Sequence, residues 1–328
     1  MTVSPTENLF NVLDDTALIL QEELSCTYLE AVAETGENLF HQGVLQDELN
    51  ELTKKRLEKK YAEAGMDQIS NEHIRKALQL AILKGMKQSS QPNHQMTPDA
   101  IGMFISYLAG KFTKGSQELK VLDPAVGTGN LLTTVLNGLA DKKVESVGVD
   151  IDDLLIKLSY VGANLQKHPL QLFNQDALEP LFIDPVDVVI SDLPVGYYPN
   201  DLRAADYELK SDNGHSYSHH LFIEQSLKHT KPGGYLFFLV PNHLFESEQA
   251  KKLHAFFKEQ VYIQGLLQLP MSLFKNESSA KSILILQKKK ADVKPPKEVL
   301  MANMPSLSNQ KAMENMLAKM DQWFKQNK

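Results

Sequence analysis

Through about the first 92 residues, apolar side chains recur at three- and four-residue intervals, the period of a helix with one buried face. Leu9, Leu13, Ala17, Leu20 and Leu24 share such a face. The stretch "LQDELNELTKKRLEKKYAEAG" predicts a second helix that brings Leu45, Leu49 and Leu52 together, with Lys54, Lys55, Arg56, Lys59 and Lys60 in its latter half. A third helix is predicted over about 71–86, after which "KQSSQPNHQMTP" breaks the period and reads as a linker. Beyond it the pattern changes to short continuous apolar runs at 120–123, 146–150, 170–176, 186–192, 235–241, 262–270 and 282–288. Helix-like stretches at 129–140, 152–166, 218–230 and 246–258 separate most of them. This alternation predicts an α/β fold, a mostly parallel sheet covered on both faces. The last two runs are only about ten residues apart, too close for a helical crossover, so an antiparallel hairpin is expected at one edge of the sheet. The expected organisation is a helical domain over 1–92, an α/β domain over 93–290 and a C-terminal extension over 291–328. In that extension Met313, Met316, Leu317, Met320, Trp323 and Phe324 follow helical spacing, a packing stripe rather than a cofactor site.

Composition adds bounds to this outline. The 328 residues are 42% hydrophobic and 23% charged, ordinary values for a soluble protein with a sizeable core. No apolar run approaches the roughly 18 residues that would span a bilayer, and "MTVSPTENLF" lacks the basic flank and apolar block of a signal peptide. Cys26 is the only cysteine, which excludes an internal disulfide and suits a reducing compartment, so a cytoplasmic protein without a membrane partner is expected. The net charge of −7 argues against non-specific nucleic-acid binding through a broadly basic surface, although a local groove can still be basic. The lysine-rich cluster at 54–60 reads as a solvated helix end. His215, His219 and His220 lie close together, but without an added cysteine or acid they do not make a metal site.

Candidate chemistry gathers at the ends of the predicted strands. "VLDPAVGTGN" closes a strand on Asp123, turns through Gly127 and Gly129, and opens a helix at about Asn130. Ligands of doubly wound sheets bind at such carboxyl ends, and glycines let the backbone approach a ligand or take positive φ. The third glycine of a dinucleotide fingerprint is missing, and a carboxylate at Asp123 repels phosphate, so a nicotinamide or flavin site is disfavoured. An acid there suits a cationic group such as the amine of an amino acid. Asp150 closes the next strand, where an acid can accept from both ribose hydroxyls. Asp176, beside Ala177 and Leu178, can accept from an exocyclic adenine amine while its neighbours pack on the ring. Each acid alone would read as a turn or cap residue. Three in succession describe a nucleoside that carries an amino acid and no phosphate, which S-adenosylmethionine (AdoMet) satisfies.

With these segments in order, the chain resembles class I AdoMet-dependent methyltransferases of the N6-adenine DNA methylase branch. Within that branch it is most like type I restriction–modification methylation subunits and the stand-alone YtxK-like group. "HQMTPDAIGMFISYL" resembles the family's Thr-Pro motif, "LDPAVGTGN" its Gly-rich loop, "GVDID" its ribose segment and "NQDAL" its adenine segment. The resemblance implies cofactor contacts from Thr97 and Pro98, from Asp123, Ala125, Gly127, Thr128, Gly129 and Asn130, from Asp150 and Ile151, and from Asp176 and Ala177. It also implies a seven-stranded Rossmann-like sheet with an antiparallel last strand, and a likeness extending from about Thr97 to Lys288.

In the family the fourth strand ends in Asn/Asp-Pro-Pro-Tyr/Phe. Its first residue and the next backbone carbonyl hold the target amine for in-line methyl transfer, and its ring stacks on an extruded base. Here the tetrapeptide reads Asp192-Leu193-Pro194-Val195. The resemblance assigns catalysis to Asp192, Leu193 and Pro194, and substrate contact to Val195, Tyr197 and Tyr198. Leu193 in place of proline frees a φ angle and is expected to loosen the turn. Val195 removes an aromatic platform worth roughly 1–3 kcal/mol per base, which Tyr197 or Tyr198 could replace. The polar stretch 199–217 is expected to be a flexible cover on the substrate side. No block remains for a target-recognition domain. The leading expectation is an N-methyltransferase with DNA or RNA as possible acceptor. The alternative is an AdoMet-binding protein with little or no transfer activity, acting through protein partners on its N-terminal helices or C-terminal helix.

Overall fold

Capping side chains set the starts of the first three helices of the N-terminal region. The computed structural model describes residues 4–88 and 96–328. Ser4 accepts from Glu7 N to start α1 (Pro5–Leu24), and Thr27 and Glu30 form a reciprocal capping box at α2 (Tyr28–His41). The stripe Leu9, Leu13, Ala17 and Leu20 is buried as expected. The next helix corrects the expected pattern. Asn50 caps α3 (Glu51–Ala62), so Leu45 lies before it, and Leu52 is 81% exposed. Leu49 and Leu57 supply the buried contacts instead. The cap outweighs the leucine spacing, because a helix started at Asn50 turns Leu52 outward. After α4 (Asn71–Gln88), the expected linker falls largely on residues 89–95, outside those described.

The α/β region follows as α5 (Asp99–Phe112), β1 (Glu118–Asp123), α6 (Asn130–Gly138), β2 (Lys143–Asp150), α7 (Asp153–Leu165), β3 (Leu170–Asn174) and β4 (Val186–Asp192). It continues through α8 (Asp201–Ala204), α9 (Ser218–Lys228), β5 (Thr230–Pro241), α10 (Ala250–Gln260), β6 (Val261–Gln268) and β7 (Lys281–Lys288), then β8 (Leu300–Asn303) and α11 (Gln310–Asn327). The sheet order is β3-β2-β1-β4-β5-β7-β6-β8. β7 runs antiparallel to both of its neighbours, and the other pairings are parallel. The expected count of seven strands is therefore one short. β8 pairs in parallel with β6 and removes the β6–β7 hairpin from the edge. β8 lies in the stretch expected to be a C-terminal extension, where no further alternation of strand and helix is predicted.

Strand alternation divides the core. Val188, Ile190, Phe237, Leu239, Ile283 and Ile285 face α5, α6 and α11, while Val189, Leu236, Phe238, Val240, Leu284 and Leu286 face α9 and α10. Met320, Trp323 and Phe324 of α11 lie in the first of these cores, and Trp323 Nε1 donates to Glu298 O at 2.8 Å. A third core joins the N-terminal helices to α7 through Leu155, Leu158, Val161 and Leu165. Arg75 of α4, only 2% exposed, donates to Glu72, to Asp99 at the start of α5 and to Asn130 at the start of α6. It ties the helical region to the loop that follows β1.

Candidate active site

Sheet order places four carboxylates side by side at the carboxyl ends of β3, β2, β1 and β4: Asp176 just beyond its strand, then Asp150, Asp123 and Asp192. The loop after β1 folds over β2, with Val126 N donating to Val149 O at 2.9 Å and Gly127 N to Asp150 Oδ2 at 2.8 Å. Asp150 Oδ1 accepts from Asp152 N at 3.0 Å. Gly127 and Gly129 both have positive φ, +53° and +76°. A Cβ on Gly129 would lie 2.5 Å from Ser159 Oγ, so this glycine is needed for the close approach of α7. A Cβ on Gly127 would meet nothing within 4 Å, so that part of the loop borders open space in which a ligand can lie against the backbone. Ala125 and Thr128 are half-buried along the same loop, and Ile151 is exposed beside Asp150.

Asp123 is buried and accepts from Ser191 Oγ at 2.8 Å and Ala125 N at 3.1 Å. Burial pushes its carboxyl up to about 7, helped by the charges of Asp150 and Asp192 and opposed by these two hydrogen bonds. A raised folded value means that its contribution to stability is full below about pH 4 and is lost as pH rises through about 7. Asp123→Asn cannot ionise. It is expected to match the wild-type protein near pH 4 and to exceed it at pH 8 by on the order of 2–4 kcal/mol, read from urea unfolding at both pH values. An advantage that does not grow with pH would mean the buried charge is compensated.

At β4 the carboxylate of Asp192 is held on both oxygens. Thr97 Oγ1 donates to Oδ2 at 2.9 Å, and Lys281 Nζ ion-pairs with Oδ1. Thr97 is buried, its carbonyl accepts from Asn130 Nδ2 at 3.3 Å, and Pro98 precedes α5 on the surface. Leu193 corrects the expectation of a loosened turn. Its N–H donates to Leu239 O at 3.3 Å, a bond proline could not make, and its side chain is buried. Pro194 and Val195 are exposed beyond it.

The two tyrosines that follow part company. Tyr198 is buried and donates to Asp176 Oδ2 at 2.5 Å, while Leu178 N donates to Oδ1 at 2.9 Å. Tyr198 is thus not available as a platform for a substrate, and belongs with Asp176 and buried Ala177. Tyr197 is 62% exposed and stacks on Tyr217 with centroids 5.0 Å apart at 11°. The stack continues from Tyr217 to His219 at 5.1 Å. Burial holds His219 down at about 3, with the charges of His220, His243 and Lys281 adding to it, and burial holds His220 at about 4. Both imidazoles are neutral at pH 7. The stretch 199–217 is anchored rather than loose. Tyr207 and Leu209 are buried, Tyr207 Oη donates to Leu178 O at 2.7 Å and Leu209 N to Glu224 Oε2 at 2.9 Å. A cavity of about 1340 Å³ between α5, α6 and α11 contains none of the four acids.

Ser191, Arg75 and Lys281 escaped the reading of the chain. A serine beside the terminal acid of a buried strand, and a cation on the apolar stripe of α4, are signals for the first two. Lys281 opens an apolar strand, and its partner lies 89 positions away, so only strand register reveals it.

Comparison with known proteins places this geometry in context. The profile of the YtxK N-terminal helical domain matches residues 7–86, and that of the N-6 DNA methylases matches residues 85–327. The chain is 57% identical over 321 residues to the uncharacterised YtxK protein of Bacillus subtilis, covering 98% of each. A Listeria monocytogenes protein, proposed to be a class I AdoMet-dependent methyltransferase, has a crystal structure that superposes with a TM-score of 0.90 at 52% identity, over 98% of this chain and 99% of that one. The type I restriction–modification methyltransferase subunit of Streptococcus thermophilus shares the fold at a TM-score of 0.62 and 16% identity, over 96% of this chain and 73% of that one. No helix among the described residues is long and apolar enough to cross a membrane.

Proposed function

Because the chain belongs to the N-6 DNA methylase family, whose profile covers residues 85–327, we propose that it is an AdoMet-dependent N-methyltransferase acting on an amine of a nucleic acid. The observation that carries this reading is the row Asp176, Asp150, Asp123 and Asp192 across adjacent strand ends. The residues present fit AdoMet. Asp150 keeps lone pairs for ribose hydroxyls, Asp176 keeps lone pairs for an adenine edge beside its hydrogen bonds from Tyr198 and Leu178, and exposed Ile151 offers apolar surface for the ring. The acid at Asp123 suits the amino group, and the N-terminus of α6 suits the carboxylate. When bound, AdoMet supplies an electrophilic methyl group on a sulfonium sulfur. Asp192 and the Leu193 carbonyl then accept hydrogen bonds from the acceptor amine and aim its lone pair. Asp192 is also placed to hold the proton that the nitrogen loses. Exposed Tyr197, backed by Tyr217, takes the place of the missing ring at Val195.

One observation favours the second reading, an AdoMet-binding protein without transfer: both oxygens of Asp192 already have donors, Thr97 and Lys281. Incubation with methyl-labelled AdoMet and DNA or RNA, followed by nucleoside digestion and mass spectrometry, separates the two. Label on a base nitrogen is expected. Binding of AdoMet with no label in either polymer would overturn transfer to nucleic acid.

A further inference from the structure

Lys281 reaches Asp192 because strand register brings it there. Asp192 pairs with Leu239 across β4 and β5, Leu239 pairs with Ile283 across β5 and β7, and Lys281 stands opposite Pro241 at the first position of β7. Asp192, Leu239, Ile283 and Lys281 therefore lie on one face of the sheet, beneath α5. The lysine is three-quarters buried, as is its partner, so the pair is screened less than a surface ion pair. Thr97 fixes the other carboxylate oxygen at 2.9 Å, and among the described residues Lys281 is the cation that balances the charge of Asp192.

We propose, building on the transferase reading, that Lys281 is a specificity-determining residue that makes the acceptor site refuse protonated alkylamines while admitting uncharged ones. Methyl transfer needs a nitrogen lone pair. An alkylamine with a pKa of about 10.4 is an ammonium at neutral pH and has none. A lone, partly buried carboxylate would nevertheless attract such a cation and hold it unreactive. With Lys281 on Oδ1, an entering ammonium meets a like charge on the same carboxylate. A neutral amine conjugated to a planar ring suffers no such repulsion, and its N–H can still donate to the free lone pairs of Asp192. Where an asparagine would be neutral by nature, the Asp192–Lys281 pair is neutral by compensation.

The test uses full-length protein in three forms: wild type, Lys281→Met and the double variant Asp192→Asn/Lys281→Met. Binding of n-butylammonium is followed by NMR, and AdoMet binding and thermal unfolding report that each form is folded. Lys281→Gln replaces Lys281→Met if the latter does not fold. Butylammonium is expected to bind the single variant at least about tenfold more tightly than wild type, with the gain lost in the double variant. Equal affinity in wild type and single variant overturns the role of Lys281, as does a gain that survives in the double variant. A second arm measures label transfer from AdoMet to an oligonucleotide and to spermidine. Transfer by the wild type to spermidine also overturns it. If neither acceptor is labelled, the transferase reading fails, while the binding arm still decides the role of Lys281.

Discussion

Asp150→Ala is expected to weaken AdoMet binding by about a hundredfold or more, because two hydrogen bonds to a charged acceptor are lost at about 1.5–3 kcal/mol each. The effect has a second source. Asp150 Oδ2 accepts from Gly127 N at 2.8 Å and Oδ1 from Asp152 N at 3.0 Å, so the same carboxylate braces the Gly-rich loop and the approach to α7. Asp150→Asn keeps one acceptor oxygen without the charge and should fall between the two. Titration calorimetry reads all three proteins, with thermal unfolding as the control for folding. An Asp150→Ala protein that binds AdoMet like wild type would remove the ribose from this strand end.

Arg75→Ala is expected to lower stability by about 3–5 kcal/mol at pH 7, the cost of removing one partner from a buried ionic cluster. The guanidinium donates to Glu72 at 2.7 and 2.8 Å, to Asp99 at 2.8 and 3.0 Å and to Asn130 at 2.8 Å. Hydrogen bonding to Arg75 holds the Glu72 carboxyl below its usual range. For Asp99, burial pushes upward, but the hydrogen bond and charge of Arg75 outweigh it and the carboxyl is held low as well. Depressed folded values mean stability that is present above the unfolded value and lost as pH falls through the folded one. The gap between wild type and Arg75→Ala should therefore be full at pH 7 and shrink below about pH 4. Urea unfolding at the two pH values measures it. Because Asn130, where the Gly-rich loop enters α6, accepts from Arg75 and donates to the Thr97 carbonyl, the substitution should also weaken AdoMet binding in the protein that remains folded. A gap that stays constant with pH would locate the stability of Arg75 in packing rather than charge.

The strand ends were readable because a buried parallel strand is a continuous apolar run, and Asp123, Asp150 and Asp192 each close one abruptly. The N-terminal helices were readable where the apolar stripe and the cap agree, as in α1, and misread where they conflict, as at Leu52. β8 follows a lysine- and proline-containing stretch that ends the alternation of apolar runs and helices, and it becomes a strand by pairing with β6. The division of labour between Tyr197 and Tyr198 depends on the antiparallel bridge from Tyr197 to Tyr217, which turns the next side chain inward to Asp176. Neighbouring tyrosines in one short loop carry no local mark of that difference. Leu193 looked like a loss because proline rigidifies a turn by its ring. In this fold a leucine N–H adds a rung to the β4–β5 ladder, which only the paired strand discloses. Lys281 is the same kind of case, a residue whose role exists only through register across β4, β5 and β7.

The most direct test of the four-acid site as a working transferase is label transfer from AdoMet to nucleic acid by wild type and Asp192→Ala, with AdoMet affinity measured on the same samples. Loss of positioning and of a charged acceptor should lower transfer by about a hundredfold or more, with AdoMet affinity changed by less than about threefold. Transfer by Asp192→Ala at the wild-type rate would contradict the assignment of the acceptor site to the end of β4.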